Sequence, residues 1–306
     1  MLLKVSFIFG TRPEAIKLAP LIIELKKYST INVEVCITGQ HKEMLKQVLD
    51  VFNIEQDVDL ALMKENQTLS DFGAAALKSI DMYIKQSKPD WVIVHGDTST
   101  CLYASLAAFY NNTKIAHVEA GLRTNNKFSP FPEEINRTIV AKLADLHFAP
   151  TENSKQNLLK DSVLEESIFV TGNTVIDALK IIIEKLNNKQ LQITSIPAAI
   201  LNSENKIVLI TMHRRENFGN CLKNMCDAIL ELSRSFPNVN FVYPVHPNPN
   251  VLNPVNEILG NVGNIHLIKP LDYISFVFLM NKSYIIMTDS GGVQEEAPSI
   301  GKPVIV

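Results

Sequence analysis

No apolar run in this chain of 306 residues approaches the roughly 20 residues that a bilayer-spanning helix needs, so no membrane segment is expected. Residues 1–10 are expected to form a buried strand rather than a secretory leader, because the apolar run is short and meets Thr11-Arg12-Pro13-Glu14 at once, with no small-residue cleavage site. Cysteine is scarce, and Cys36, Cys101, Cys221 and Cys226 are scattered through apolar or helical contexts. Cys221 and Cys226 lack the spacing of a zinc or redox pair. A disulfide scaffold is thereby excluded, and buried thiols in a reducing, cytoplasmic compartment are predicted. No charge of one sign dominates; a formal net charge of -3 argues against a nucleic-acid-binding surface and for small-molecule partners. Common phosphate signatures are also lacking. Gly10 stands alone after the first predicted strand, so no Gly-x-Gly-x-x-Gly of a nicotinamide-dependent enzyme is present, and Gly301-Lys302-Pro303 lacks the rest of a P-loop. Asp57-Val58-Asp59 resembles the metal-binding pair of some glycosyltransferases, but so short a pattern reads as a loop or short edge strand, and no metal site is assigned.

What is present is alternation. Short apolar runs at 4–9, 33–38, 91–95, 114–119, 146–149 and 168–170 are each bounded by polar turns, and segments of helical period at 15–27, 42–52, 69–86, 99–111 and 134–144 lie between them. This predicts a parallel sheet flanked by helices. Pro132 ahead of Glu133 and Glu134 marks a helix start, because proline tolerates the first turn and acids favour the positive end of the dipole. An apolar helix at 175–186 leads into a polar, weakly patterned stretch, and then strands recur at 206–210, 240–243, 265–268 and 283–287 with helices between. The reading is α/β: an N-terminal Rossmann-like domain at 1–172, a connecting helix and linker at 173–205, and a C-terminal Rossmann-like domain at 206–306, with a cleft between the two. The chain stops inside an apparent strand, so an incomplete C-terminal domain is expected.

Open parallel sheets bind ligands beyond the carboxyl ends of their strands. The residues there are Gly10-Thr11-Arg12-Pro13-Glu14 with Lys17, Gln40-His41, His95-Gly96-Asp97-Thr98, Glu119-Ala120-Gly121-Leu122-Arg123, His213-Arg214-Arg215-Glu216, His246-Pro247 and Asp289-Ser290-Gly291-Gly292. Nearly every position is ionisable or small. Ser290-Gly291-Gly292 before a helix offers N–H groups and a positive dipole end to a diphosphate, with Glu296 one turn on for ribose hydroxyls; a plain helix cap and a solvated carboxylate are the alternatives. Arg12 and Lys17 are placed to neutralise a leaving diphosphate. Asp97, Glu119 and Glu133 are three carboxylates on separate loops, and crowded acids tend to split their pKa values. For each, an ion pair with Arg123, Arg137 or Lys17 is the competing explanation. His213, at a strand tip and flanked by Arg214 and Arg215, is not easily a satisfied core histidine and reads as a contact to substrate or leaving group.

Taken together, these segments resemble the non-hydrolysing bacterial UDP-N-acetylglucosamine 2-epimerases. The resemblance runs through residues 10–17, His95-Gly96-Asp97-Thr98, His117-Val118-Glu119-Ala120-Gly121-Leu122-Arg123, Pro132-Glu133-Glu134 with Asn136-Arg137, His213-Arg214-Arg215-Glu216, His246-Pro247-Asn248-Pro249 and residues 288–296. It implies the GT-B glycosyltransferase architecture and reversible inversion of C2, giving UDP-N-acetylmannosamine for surface polysaccharide synthesis. The implied route is loss of UDP to 2-acetamidoglucal and re-addition, with no metal or nicotinamide cofactor. Acid–base roles fall to Asp97, Glu119 and Glu133, and diphosphate and sugar contacts to His213, Arg12, Lys17 and Arg137. UDP binding is implied for Ser290, Gly291, Gly292 and Glu296, with Phe276 near the uracil. Gln40, Glu134, Arg214 and His246 match the region where some members bind a second UDP-N-acetylglucosamine as activator, and a homodimer is the family expectation.

Met212 stands where the family usually has a small residue, Phe131 where it has tryptophan, and Leu271 where relatives can carry a polar residue near the base. The family also carries a Thr-Glu-Arg-Pro-Glu segment and a final helix beyond the last residue here. The competing functions are a hydrolysing epimerase, which would trap the glucal with water, a GT-B glycosyltransferase, and a non-catalytic UDP-sugar-binding module. The last would have no use for Asp97, Glu119 and Glu133.

Overall fold

The computed structural model describes residues 2–39, 42–64, 66–212, 214 and 219–306, the side chains of 42–44 aside. The chain divides into two compact units, Met1–Ala178 and Leu179–Val306.

In the first unit, β1 (Leu3–Phe9), β2 (Ile31–Ile37), β3 (Val58–Asp59), β4 (Trp91–His95), β5 (Lys114–Val118), β6 (Leu146–Ala149) and β7 (Ile168–Val170) form one sheet. Its order is β3-β2-β1-β4-β5-β6-β7, and all six pairings are parallel. The Asp57-Val58-Asp59 stretch is thus the short edge strand. Winding proceeds outward from β1 in one direction and from β4 in the other, so the loops after these strands diverge and leave a crevice. Phe7, Ile8 and Phe9 have no exposed surface, and each such side chain contributes about 1.5–3 kcal/mol of burial free energy.

The crossovers are helical: α1 (Arg12–Leu25), α2 (Lys42–Phe52), α3 (Leu69–Ser87), α4 (Ser99–Tyr110), α5 (Glu133–Leu143) and α6 (Glu152–Lys160). α4 is buried over much of its circumference through Thr100, Cys101, Ala104, Ser105, Ala107 and Ala108. Small side chains let it lie close to the sheet between α3 and α5. α1 begins three residues earlier than its apolar period predicts. Thr11 and Glu14 form a capping box with Pro13 in the first turn, which satisfies N–H groups that periodicity does not register.

α7 (Val175–Asn187) and the short α8 (Ala198–Leu201) precede the second sheet. There β8 (Lys206–Thr211), β9 (Val239–Pro244), β10 (Ile265–Ile268), β11 (Ile285–Thr288) and β12 (Val304–Ile305) pair in the order β10-β9-β8-β11-β12, all parallel. The reversal of winding falls between β8 and β11. The helices are α9 (Asn220–Ser235), α10 (Pro249–Leu259), α11 (Tyr273–Lys282) and α12 (Gly291–Ser299). Val208, Ile210, Phe241 and Tyr243 from the sheet pack with Leu222, Cys226 and Ile229 of α9.

The sequence predicts four buried thiols, and the structure departs from that at Cys221. Cys36, Cys101 and Cys226 are buried, but Cys221 is exposed. The buried positions of α9 are Leu222, Cys226, Ile229 and Ser233, a stripe with helical spacing, and Cys221 lies off it. Among the described residues no helix is long and apolar enough to cross a membrane.

Candidate active site

The switch point of the first sheet holds an open cleft of about 490 Å³ lined by Thr11, Arg12, Pro13, Glu14, Lys17, His95, Asp97, Thr98 and Glu119. Its frame is the Glu14 carboxylate, which is buried. Oε2 accepts from the N–H groups of Gly10 at 3.0 Å and Thr11 at 2.8 Å, while the Thr98 hydroxyl donates to Oε1 at 2.7 Å. One acid thereby ties the turn after β1 to the turn after β4. Burial pushes the Glu14 carboxyl above its ordinary pKa against these hydrogen bonds.

Glu119 follows β5 with a backbone φ of 60°, a left-handed conformation that disfavours any residue carrying a Cβ. The turn is enforced by its surroundings. Ala120 N–H donates to the Phe148 carbonyl at 3.0 Å. Gly121 approaches α6 so closely that a Cβ there would lie 2.2 Å from the Ser154 carbonyl oxygen, and its φ of +89° is itself a glycine conformation.

The result aims the Glu119 carboxylate into the cleft, where Oε2 pairs with Lys17 Nζ, accepts from Asn173 Nδ2 at 3.0 Å and lies 3.8 Å from His95 Nε2. Burial pushes this carboxyl up. His95 and Lys17, with the hydrogen bonds from Lys17 and Asn173, bring it below its ordinary value. Burial pushes the His95 imidazole down to about 4, so His95 is neutral at pH 7 and Lys17 is the cation paired with Glu119 there.

Asp97 has the opposite bias. Its carboxylate pairs with Arg137 of α5, and its backbone carbonyl accepts from Asn136 Nδ2 at 2.9 Å. Burial nonetheless raises its pKa; Arg137 opposes the shift, and the Glu119 and Glu133 carboxylates reinforce it. Glu133, at the start of α5, is therefore within electrostatic reach of Asp97. The ion pairs weighed against a catalytic role do form, Asp97 with Arg137 and Glu119 with Lys17, and they form at the cleft. Arg123 instead pairs with Asp161.

Behind the cleft, His117 Nε2 lies 2.7 Å from the Gly96 carbonyl, which only accepts, so Nε2 carries the proton. Glu134 is buried, and its Oε1 accepts from the N–H groups of Thr124 at 3.0 Å and Asn125 at 2.9 Å, holding the loop that follows Arg123.

In the second unit, Asp289 follows β11 and accepts from Arg214 N–H at 2.9 Å. Ser290 N–H is held by Thr288 Oγ1 at 3.0 Å, and α12 starts at Gly291. A Cβ on Gly291 would lie 3.3 Å from Arg214 Nη2, so the guanidinium rests against the first turn of α12. A Cβ on Gly292 would lie 3.6 Å from Glu296 Oε1, which places that carboxylate back beside the same turn. Backbone donors, a cation and an acceptor thus converge where an anion gains from the helix dipole. Phe276 is half-buried on α11, and His246 lies exposed after β9, its Nδ1 accepting from Asn248 N–H at 3.1 Å. His213 and Gln40 lie outside the described residues. Asn173, which donates to Glu119, and His95, whose Nε2 lies 3.8 Å from it, carry no site signal of their own in the sequence; His95 is visible only as the first residue of His95-Gly96-Asp97.

A family model described as UDP-N-acetylglucosamine 2-epimerase matches residues 23–306. A UDP-N-acetylglucosamine 2-epimerase of Neisseria meningitidis is 52% identical over 308 residues, covering 99% of this chain and 82% of the relative. The crystal structure of the Neisseria meningitidis enzyme bound to UDP-GlcNAc is similar with a TM-score of 0.87 at 52% identity, across 99% of this chain and 82% of that one. The Methanocaldococcus jannaschii enzyme in complex with UDP-GlcNAc and UDP gives a TM-score of 0.75 at 34% identity, covering 99% and 83%. The likeness spans both doubly wound sheets and establishes the expected GT-B fold class. Paired carboxylates after β4 and β5, a helix N-terminus after β11 and this likeness along nearly the whole length agree: the chain belongs to the UDP-N-acetylglucosamine 2-epimerase family.

Proposed function

We propose that this chain is a non-hydrolysing epimerase that interconverts UDP-N-acetylglucosamine and UDP-N-acetylmannosamine. The observation that carries the reading is the pair of carboxylates in one cleft with opposite pKa shifts, Glu119 lowered and Asp97 raised. Inverting a carbon through a planar intermediate needs a base on one face and a proton donor on the other, and opposite shifts favour that division of roles. A single ionised acid cannot serve both.

The C2 proton of the sugar is weakly acidic until the C1–O bond to UDP begins to break and positive charge builds on the ring. Glu119 then takes the C2 proton as the electron pair forms the C1–C2 double bond of the glucal and UDP leaves with the C1–O electrons. Arg12 and Lys17 stabilise the leaving charge. Asp97 delivers a proton to the opposite face of C2 while UDP re-adds at C1. The reverse reaction starts with the two acids in exchanged states. In the second unit, Ser290, Gly291 and Gly292 at the start of α12 hold the diphosphate, Glu296 the ribose, and α11 with Phe276 faces the base.

The assay is UDP-N-acetylglucosamine in deuterated water with C2 followed by NMR. UDP-N-acetylmannosamine carrying deuterium at C2, with little free sugar, is the expected product. Free N-acetylmannosamine would show a hydrolysing enzyme, and unlabelled substrate would show transfer or mere binding. The same reading carries two expectations from the family resemblance. Pairing of two copies is checked by sedimentation, and activation by a second UDP-N-acetylglucosamine by sigmoidal rate curves.

A further inference from the structure

The mechanism above asks two things of Lys17, which neutralises Glu119 in the resting site and also meets the departing diphosphate. As it turns toward the leaving group, the Glu119 carboxylate loses its charge partner while it must keep its aim, on a backbone already in the left-handed region with a φ of 60°. A second hold comes from Asn173, in the loop between β7 and α7. Its Nδ2 donates to Glu119 Oε2 at 3.0 Å, and its Oδ1 accepts from the Val175 N–H at 3.1 Å in the first turn of α7. The second bond fixes the first. A backbone N–H only donates, so the atom facing Val175 is the carbonyl oxygen and the amide nitrogen must face the carboxylate.

We propose that Asn173 is a positioning residue for the C2 proton transfer: its amide nitrogen holds the Glu119 carboxylate in line when Lys17 follows the leaving group, while its carbonyl oxygen caps α7. The inference rests on the epimerase reading. Its two halves separate chemically, because one atom of the side chain serves the helix and the other serves the site.

Asn173→Asp exploits that separation. It keeps an oxygen for the Val175 N–H, and an acid is favoured at that helix end, but it sets a second carboxylate beside Glu119 in place of a donor. Asn173→Ala removes both halves. Three measurements are made on the full chain: the thermal midpoint, steady-state kinetics with deuterium uptake at C2, and the titration of Glu119. The titration is read by NMR on protein carrying ¹³C at the glutamate side-chain carboxyls, with Glu119→Gln assigning the peak.

The expected result for Asn173→Asp is an unchanged thermal midpoint, a Glu119 titration moved to higher pH, and a kcat reduced roughly tenfold to a hundredfold, the range for a lost hydrogen bond to a charged group. KM should stay within about twofold, since the lost contact serves the transition state rather than binding. The acid limb of kcat/KM should move to higher pH with the Glu119 titration. An unmoved Glu119 titration, or an Asn173→Asp enzyme with wild-type kcat, overturns the proposal, as does a loss of activity confined to Asn173→Ala and matched by its loss of stability. If the wild-type protein puts no deuterium at C2, the epimerase reading fails separately; the Glu119 titration, which needs no turnover, still decides whether Asn173 governs that carboxylate.

Discussion

Replacing Glu14 with alanine should unfold the first unit far more readily than replacing it with glutamine. The Glu14 carboxylate is 1% exposed and accepts three hydrogen bonds, from Gly10 N–H, Thr11 N–H and the Thr98 hydroxyl. In Glu14→Gln the amide oxygen takes over the two backbone donors, and the amide nitrogen meets the Thr98 oxygen, which must then accept. Thr98 Oγ1 already accepts from Cys101 N–H at 3.0 Å, so the Thr98 hydroxyl proton loses its partner at a cost of about 1 kcal/mol. In Glu14→Ala the two backbone N–H groups lose their acceptor, at about 1–3 kcal/mol each, the Thr11 N–H being the Glu14 half of the capping box, and the Thr98 hydroxyl loses its acceptor at about 1 kcal/mol more. Relief of the carboxylate's desolvation offsets part of this, leaving a net loss of about 3–4 kcal/mol. Trp91, the single tryptophan of the sequence, lies in β4. Its fluorescence during urea unfolding therefore follows the first unit alone, and the second unit does not blur the transition. Glutamine and alanine variants of equal stability, or a loss below about 1 kcal/mol for alanine, would refute the role assigned to this carboxylate.

Glu119→Gln and Asp97→Asn should each lower deuterium uptake at C2 by roughly 10²–10⁴-fold while UDP binding, measured by calorimetry, changes little; retained exchange in either variant would remove that carboxylate from the mechanism. Gly291→Ala puts a Cβ 3.3 Å from Arg214 Nη2 and should weaken UDP binding about tenfold, whereas Gly263→Ala, whose Cβ meets nothing within 4 Å, should leave it unchanged. Burial pushes the His117 imidazole down to about 3, so below its unfolded value of about 6.5 the unfolded chain binds a proton that the folded chain refuses. Stability from this group is full above that value and is lost as pH falls, by about 2 kcal/mol between pH 6.5 and 5. Glu14 and Asp97, raised in the fold, tilt stability the other way just above their ordinary values. The check is therefore a difference: between pH 7.5 and 5.0, His117→Asn should lose about 2 kcal/mol less than wild type, and equal losses would contradict the burial argument.

Much of the fold was legible because it is written in local chemistry. Short apolar runs bounded by polar turns located β1, β4, β5 and β8 to within a residue or two, and the polar residues that follow them are the ones that line the cleft after β1, β4 and β5. Cys221 departs from the buried thiol the sequence predicts because a helical context does not say which face of α9 a residue occupies. Asn173 passed unnoticed for a related reason. An asparagine ahead of a helix is ordinary turn chemistry, and nothing nearby in the chain points to a carboxylate 54 positions upstream.

The order of strands and helices, the capping box at Thr11 and Glu14, and the set of ionisable residues at strand ends were determined by the sequence itself, since each depends on neighbours a few positions away. The opposite pKa shifts of the two cleft carboxylates were decided only by the tertiary structure. The Glu119 carboxyl is lowered because His95 and Lys17, 24 and 102 positions earlier, together with hydrogen bonds from Lys17 and Asn173, outweigh its burial, and Asp97 is raised because burial outweighs Arg137, 40 positions later. Electrostatic energy depends on distance in space and on the exclusion of water, and neither exists until the chain has folded.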